Sequence, residues 1–296
     1  MDEPKVCIVT PIHNGVSRTL RFLESVKEMG YPNLETIIVD DGSTDGSSEA
    51  IRRDFPETIL LAGDGNLWWT AATNLGVREA LSRAADFVFT VNNDVTMTNG
   101  AISSSVSCAL RESPALIGST VHVLEDPDQI WFAGARFNRR TGDIEHEREP
   151  VVESGGVREA QMLTGMGMLI PSEAFEHVGF FDAATFPHYL ADCDFSIRAA
   201  QRGYRLLVTS ESRLYNEIGS AWSVQQMERP RFRFLVEMIF SKRSGYWFVG
   251  RVRFYRRHWG NGKTSALIRL YVTWFRTYVV RAMARRLLRL RKARSD

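Results

Sequence analysis

Three carboxylate-bearing stretches carry the residues that could do chemistry. Phe87-Val88-Phe89-Thr90-Val91 is an apolar run that stops abruptly on Asn92-Asn93-Asp94. β-Branched and aromatic residues in such a run form an interior strand, which places Asp94 at the strand's carboxyl edge. In open α/β sheets that edge is where ligands bind. A hard cation such as Mg2+ or Mn2+ needs only one or two carboxylates besides phosphate oxygens and waters. Asp94 can therefore hold a divalent cation beneath a pyrophosphate, although a strand-end carboxylate is often a helix cap.

The second stretch, Asp40-Asp41-Gly42-Ser43-Thr44-Asp45-Gly46, ends the apolar run before it. Asp, Gly and Ser are all turn formers, so a plain turn is one reading. The other has Asp41 accepting a hydrogen bond from a nucleobase N–H. The third stretch is His188-Tyr189-Leu190-Ala191-Asp192-Cys193-Asp194-Phe195-Ser196-Ile197-Arg198. Asp192 and Asp194 stand too close to share one helix face, whereas Arg198 lies four beyond Asp194. The spacing assigns Asp194 to Arg198 and leaves Asp192 to point elsewhere. In a crevice it would serve as a general base on an acceptor hydroxyl.

The elements that must position these groups alternate. Val6–Pro11 reads as a strand, 17–29 as a helix, Glu35–Asp40 as a strand, 47–55 as a helix, 58–61 as a short strand and 70–84 as an Ala-rich helix. The order β-α-β-α-β-α-β implies a mostly parallel sheet covered by helices on both faces. Three strands ending on Thr10, Asp40-Asp41 and Asn92-Asn93-Asp94 then line one crevice. Residues from about 118 to 160 mix short β-like pieces, such as Ser119-Thr120-Val121-His122-Val123, with a charged stretch rich in Gly, Arg and Glu, and read as a mobile excursion over that face. Gln161–Pro171 is an apolar, Gly-rich strand or turn in which Gly165 and Gly167 allow another group to approach. A helix over 192–202 and a strand over 205–209 follow.

Composition is that of an ordinary globular chain, 44% hydrophobic and 24% charged over 296 residues. Cys7, Cys108 and Cys193 form neither a zinc pattern nor a disulfide framework, which fits a reducing compartment. The N-terminus lacks a basic leader with an apolar core, and arginines interrupt the best candidate span, so neither a secretory signal nor a spanning helix is expected. The net charge of +2 hides a split. Residues 1–228 hold 18 Lys+Arg against 33 Asp+Glu, whereas residues 229–296 hold 19 against 2. The basic end interleaves arginine with aromatic and aliphatic residues, and 264–290 has a helical pattern. Such a helix suits an anionic bilayer first, then the acidic body or a second copy of the chain, and nucleic acid last.

Taken in order, several of these motifs resemble family 2 inverting glycosyltransferases of the GT-A fold, particularly their bacterial rhamnosyltransferase-like branch. The resemblance covers roughly residues 5–220. It rests on Val9-Thr10-Pro11-Ile12-His13-Asn14, Val39-Asp40-Asp41-Gly42-Ser43-Thr44-Asp45, Gly65-Asn66 with Asn74-Leu75-Gly76, Asn92-Asn93-Asp94, Gly165-Met166-Gly167-Met168-Leu169-Ile170, Val178-Gly179-Phe180-Phe181-Asp182, and Asp192-Cys193-Asp194-Phe195 with Arg198. It implies an α/β, Rossmann-like GT-A domain over 1–228, with a nucleotide-sugar half (1–117) and an acceptor half (118–228), followed by a basic helical region over 229–296. It also implies a nucleotide-diphospho-sugar donor (dTDP, UDP or GDP) held by Thr10, Pro11, Asn14, Asp40, Asp41, Gly65, Asn66, Asn93 and Asp94. Asp94 matches the metal-bearing carboxylate, for Mg2+ or Mn2+, and Asp192 the catalytic base.

Trp131, Gly165, Met166 and Asp194 are candidates for the acceptor side, and Trp68-Trp69 reads as core or as a platform for a sugar face. The chain departs from the family pattern at Asn92, where the metal motif has its first Asp, at Ala191, where many members have Glu, and at Asn216, near a late His of many relatives. The expected activity is transfer of a sugar, rhamnose first, to a glycan or lipid-linked hydroxyl in bacterial surface polysaccharide assembly, in the cytoplasm or on the inner membrane face. A non-catalytic sugar-nucleotide-binding or scaffold protein is the alternative. A nucleotidyltransferase would want a Gly-rich basic loop after the first strand, and Pro11-Ile12-His13-Asn14 does not supply one.

Overall fold

The computed structural model describes residues 3–152, 156–217, 232–259 and 265–276. Val6–Ile12 (β1), Leu34–Asp40 (β2), Ile59–Ala62 (β3) and Phe87–Thr90 (β4) alternate with helices Val16–Lys27 (α1), Ser47–Asp54 (α2) and Trp68–Ser82 (α3). Val6, Cys7, Ile8 and Val9 are wholly buried because β1 is covered on both faces and flanked by β2 and β4, parallel to each. Helix α3 sits against this strand through Gly76, where a Cβ would come within 2.5 Å of Val9 Cγ1. Only glycine permits that approach.

Val95–Met97 (β5), Ala101–Glu112 (α4), Ala115–Val123 (β6), Asp126–Phe132 (β7), Ala135–Phe137 (β8), Ile144–His146 (β9), Val157–Glu159 (β10), Met168–Pro171 (β11), Ser172–Val178 (α5), Ala191–Gln201 (α6) and Arg205–Asn216 (β12) follow. The main sheet runs β10-β12-β6-β11-β4-β1-β2-β3. β11 is antiparallel to both β4 and β6, and β12 is parallel to β6. Hence β1, β2, β3, β4, β6 and β12 all point one way, the mostly parallel arrangement expected. Their carboxyl ends share one edge with the start of the reversed β11, since Met168 pairs with Thr90.

The described residues between 118 and 160 hold more strand than the short β-like pieces expected there. β6 is a nine-residue strand inside the sheet, β7 pairs with it, and β8 pairs with β9. The polar residues that disguise β6 are satisfied across the sheet: Ser119 and Ser212 share a hydrogen bond of 2.7 Å, and Thr120 Oγ1 donates to the Thr209 carbonyl at 2.9 Å.

The chain divides into two units, 1–136 with 146–221, and 137–145 with 222–296. The tip of the β8–β9 hairpin thus belongs with the C-terminal helices, a grouping that the expected boundary at 228/229 does not include. Within the second unit, Phe137 stacks on Trp259 at 3.8 Å, the buried Tyr255 hydroxyl donates to the Gly142 carbonyl, and Arg251 pairs with Asp143 at 3.1 Å. The helices of this unit are Phe232–Phe240, Phe248–Trp259 and the stretch 265–276. The rest of the helix expected over 264–290 lies outside the described residues. Among the described residues no helix is long and apolar enough to cross a membrane.

Candidate active site

Asp41 stands just past the end of β2 and is buried. Its Oδ1 accepts from the backbone N–H of Gly65 at 2.8 Å and of Leu67 at 3.2 Å, and its Oδ2 from Trp68 at 2.9 Å. These bonds use three of roughly four lone-pair sites, so Asp41 first of all fixes the loop before α3. Asp40 is likewise structural, accepting from Ser43 N–H at 2.8 Å and from the Ser48 hydroxyl. Gly42 lies so close to Gly65 that a Cβ would sit 2.9 Å from its Cα. Asn14 takes a left-handed backbone (φ 61), donates its N–H to Ser43 Oγ at 2.7 Å and accepts Thr44 N–H at 2.9 Å. Asp45, which the motif reading did not single out, accepts from Gly15 and Val16 N–H and from Ser47. The loops after β1, β2 and β3 are therefore locked into one rim, on which Gly65 and Asn66 remain exposed.

Beyond β4, Asn92 Oδ1 accepts the indole N–H of Trp69 at 2.9 Å, and Asn93 Nδ2 donates to Thr19 at 2.9 Å. Asp94 is half-buried. Beside it, Asn216 pairs with Val95 in the sheet, and its amide oxygen is buried with no hydrogen-bond partner among the described residues. A carboxylate and an unfilled amide oxygen are hard donors of the kind Mg2+ and Mn2+ take. The pair fits a divalent cation that takes most of its ligands from donor phosphates. Among the described residues no cluster of three His, Cys, Asp or Glu offers a self-sufficient cage.

Asp192 lies in the first turn of α6, half-buried. Its Oδ2 accepts from Gly165 N–H at 2.9 Å and its Oδ1 from Cys193 N–H at 2.8 Å, which fixes the carboxylate's orientation. Gly165 also abuts Trp69, where a Cβ would fall 2.4 Å from the ring. At Gly167 the neighbour is Leu214, 2.4 Å from where a Cβ would stand, so both glycines accommodate protein side chains. Tyr189, 37% exposed, stacks edge-on against His188 at 4.6 Å, and His188 against Trp68 at 5.7 Å. Burial raises the Tyr189 phenol above its ordinary pKa, and the Asp94 and Asp192 carboxylates push it the same way.

Trp68 (φ 58) and Leu190 (φ 73) hold left-handed backbones that bulky residues rarely adopt. Such conformations persist where the surroundings over-determine them, and they gather at functional sites. Here α3 provides the restraint. Asn74 bonds both the N–H and the carbonyl of Phe181, while Thr70 bonds the carbonyls of Phe186 and Pro187.

A continuous chain of contacts thus joins Asp41 through the 65–68 loop, Trp69 and Asn92 to Gly165 and Asp192, with Asp94 beside them. Other expected residues differ in exposure. Thr10 is wholly buried, and its hydroxyl has no hydrogen-bond partner among the described residues; Pro11, next to it, is half-exposed. Asp194 is wholly buried and paired with Arg198 at 2.8 Å, so its side chain serves the interior rather than an acceptor. Met166 is 8% exposed. Trp131 packs on His146 at 4.7 Å. Burial lowers the His146 pKa to about 4, with the Arg148 charge acting in the same direction. Tyr189 and Asn74 stand within the motifs read from the sequence, but neither was given a role there; the aromatic pair just before Asp192 was the available signal for Tyr189.

Solved structures share this architecture. A mannosyltransferase from Pyrobaculum calidifontis in complex with GDP-Man and Mn2+ superposes with a TM-score of 0.59 and 17% identity, covering 96% of this chain and 76% of that one. A chain crystallised with UDP, GalNAc and Mn2+ gives 0.61 and 14%, over 86% of this chain and 58% of that one. At such identities the shared property is the fold, and it is that of GT-A structures. The model of glycosyl transferase family 2 matches residues 7–161, that of glycosyl transferase family group 2 matches residues 136–288, and the chain belongs to glycosyl transferase family 2.

Among curated relatives, an uncharacterized protein of Mycobacterium bovis is 25% identical over 204 residues, 66% of this chain and 73% of the relative. An N-acetylglucosaminyl-diphospho-decaprenol L-rhamnosyltransferase of Mycobacterium tuberculosis is 26% identical over 209 residues, 62% of this chain and 66% of the relative.

Proposed function

We propose that this glycosyltransferase moves a sugar, with inversion, from a nucleotide-diphospho-sugar to a hydroxyl of a glycan or lipid-linked acceptor, and that rhamnose is the first sugar to test. The observation that carries this reading is Asp192, half-buried at a helix start, oriented by two backbone N–H groups and close enough to Tyr189 to share its field with Asp94. Asp192 takes the proton of the acceptor hydroxyl. The freed oxygen forms its bond to the anomeric carbon from the face opposite the nucleotide, while the bond from that carbon to the diphosphate oxygen breaks and the nucleoside diphosphate leaves with the electron pair.

Asp94 and Asn216 would hold a divalent cation, which when bound would neutralise charge on the diphosphate. The rhamnosyltransferase relative, whose name includes a lipid-linked acceptor, supports the choice of sugar and acceptor class and a role in bacterial surface polysaccharide assembly.

Asp192→Asn tests the base. Turnover is expected to fall by about 10²–10⁴, while dTDP-rhamnose still raises the melting temperature as in the wild type. Unchanged turnover would remove Asp192 from its role. For the cation, donor-induced thermal stabilisation should grow with Mn2+ and lose that increment in Asp94→Asn. A donor shift indifferent to Mn2+ and EDTA would leave Asp94 without a metal.

A further inference from the structure

Seven of the ten exposed large apolar side chains of the described residues lie between Val236 and Phe275. The same end of the chain, residues 229–296, carries a net charge of 19 − 2 = +17. The helical stretch 265–276 shows how the two properties are arranged. Its inner face is fixed by the buried Ala266, Leu267 and Leu270, by Tyr271 Oη donating to the Tyr246 carbonyl at 2.7 Å, and by Trp274 against the Tyr246 ring. Its outer face presents Ile268 (61% exposed), Val272 (49%) and Phe275 (56%).

At about 100° per residue these three fall within about 60° of arc. Arg269 and Arg276, both exposed, flank them on one side. Arg269 Nη2 donates to the Arg139 carbonyl at 3.1 Å, which brings the exposed Arg139 and Arg140 of the hairpin turn alongside. On the other flank Phe248, 44% exposed, lies 5.6 Å from the Tyr271 ring and widens the apolar strip.

A nucleic acid would satisfy the arginines but leave Ile268, Val272 and Phe275 in water. A second copy would meet the same positive charge. An anionic bilayer satisfies both, with acyl chains for the strip and phosphate headgroups for the guanidinium groups. We propose that the C-terminal unit lies in the headgroup layer of an anionic membrane, with Ile268, Val272 and Phe275 toward the acyl chains and Arg139, Arg140, Arg269 and Arg276 on lipid phosphates. This surface is independent of the sugar-transfer reading, because lipid binding is measured without turnover.

The test is flotation of the full chain with vesicles of phosphatidylcholine alone and of phosphatidylcholine mixed with phosphatidylglycerol. The chain should float with the mixed vesicles only, and less so as salt is raised. Replacing Ile268, Val272 and Phe275 together by Glu should weaken partitioning by about tenfold or more with an unchanged thermal unfolding curve, since all three are solvent-facing. Arg269→Gln and Arg276→Gln should each weaken it about fivefold. A wild-type chain that stays in solution with both vesicle types, or a triple variant that floats as well as wild type, overturns the proposal. So does light scattering showing a dimer that the triple variant dissolves while vesicles go unbound, or duplex DNA binding in place of vesicle binding.

Discussion

Asp41, Asp45 and Asp192 show how differently a carboxylate can be used at one sheet edge. Asp41 accepts three backbone N–H groups from a loop 24–27 residues away. That the strand-end Asp lies at the crevice was legible from the abrupt polarity change after β2; that it organises the neighbouring loop was not, because its donors are distant in sequence. Thr10 is buried with the rest of β1, which is covered on both faces, so alternation along that strand does not mark a ligand-facing side. Asp45 makes a prediction at this scale. The Ser47 hydroxyl, followed by the backbone N–H groups of Val16 and Gly15, lowers its pKa from 3.8 to about 2. A group depressed by folding stabilises fully above its unfolded value and loses that contribution as pH falls through the folded one. Asp45→Asn should therefore flatten the loss of stability between pH 3.8 and about 2, read as urea midpoints against pH. An acid limb identical in wild type and variant would take Asp45 out of the account.

At the scale of elements, the alternation from β1 to β4 could be read because periods of 2 and 3.6 separate cleanly there. Of β6 only the piece Ser119–Val123 could be read, since Gly118-Ser119-Thr120 interrupts its apolar run, and β12, some ninety residues later, supplies the hydrogen bonds that make those side chains acceptable inside. β11 is four residues long, too short for periodicity to reveal its direction. Helix α3 is the element that sets the site, because it holds Thr70 and Asn74 on Phe186 and Phe181, Trp69 on Asn92 and Gly165, and Gly76 on the sheet. Gly76→Ala would place a Cβ 2.5 Å from Val9 Cγ1 and 3.2 Å from Val39 Cγ2. Overpacking of that kind costs about 1–3 kcal/mol, against about 1 kcal/mol that Ala gains over Gly in a helix. The variant should be less stable in urea unfolding; a more stable one would mean that α3 stands further from the sheet.

Across the whole molecule, the opposite charges of the two chain ends were visible from counting alone, whereas the assignment of 137–145 to the C-terminal unit rests on Arg251–Asp143 and Tyr255–Gly142, contacts more than a hundred residues apart. The place of β11 has a consequence for biosynthesis. β3, β2, β1 and β4 are complete once about ninety residues have been made, but β6 joins them only through residues 168–171. Until then the hydrogen-bonding edge of β4, with Val88 and Phe89 fully apolar, is a bare template for another chain. A nascent chain halted before β11 is thus at its most aggregation-prone after most of its sheet has been made. A 1–165 fragment should scatter light as large particles under conditions where the full chain stays dispersed, and a dispersed fragment would show that β4 finds another cover. The strand that joins β4 to β6 is also preceded by the glycine whose N–H orients Asp192, so the candidate site and the joining of the two parts of the sheet depend on the same few residues.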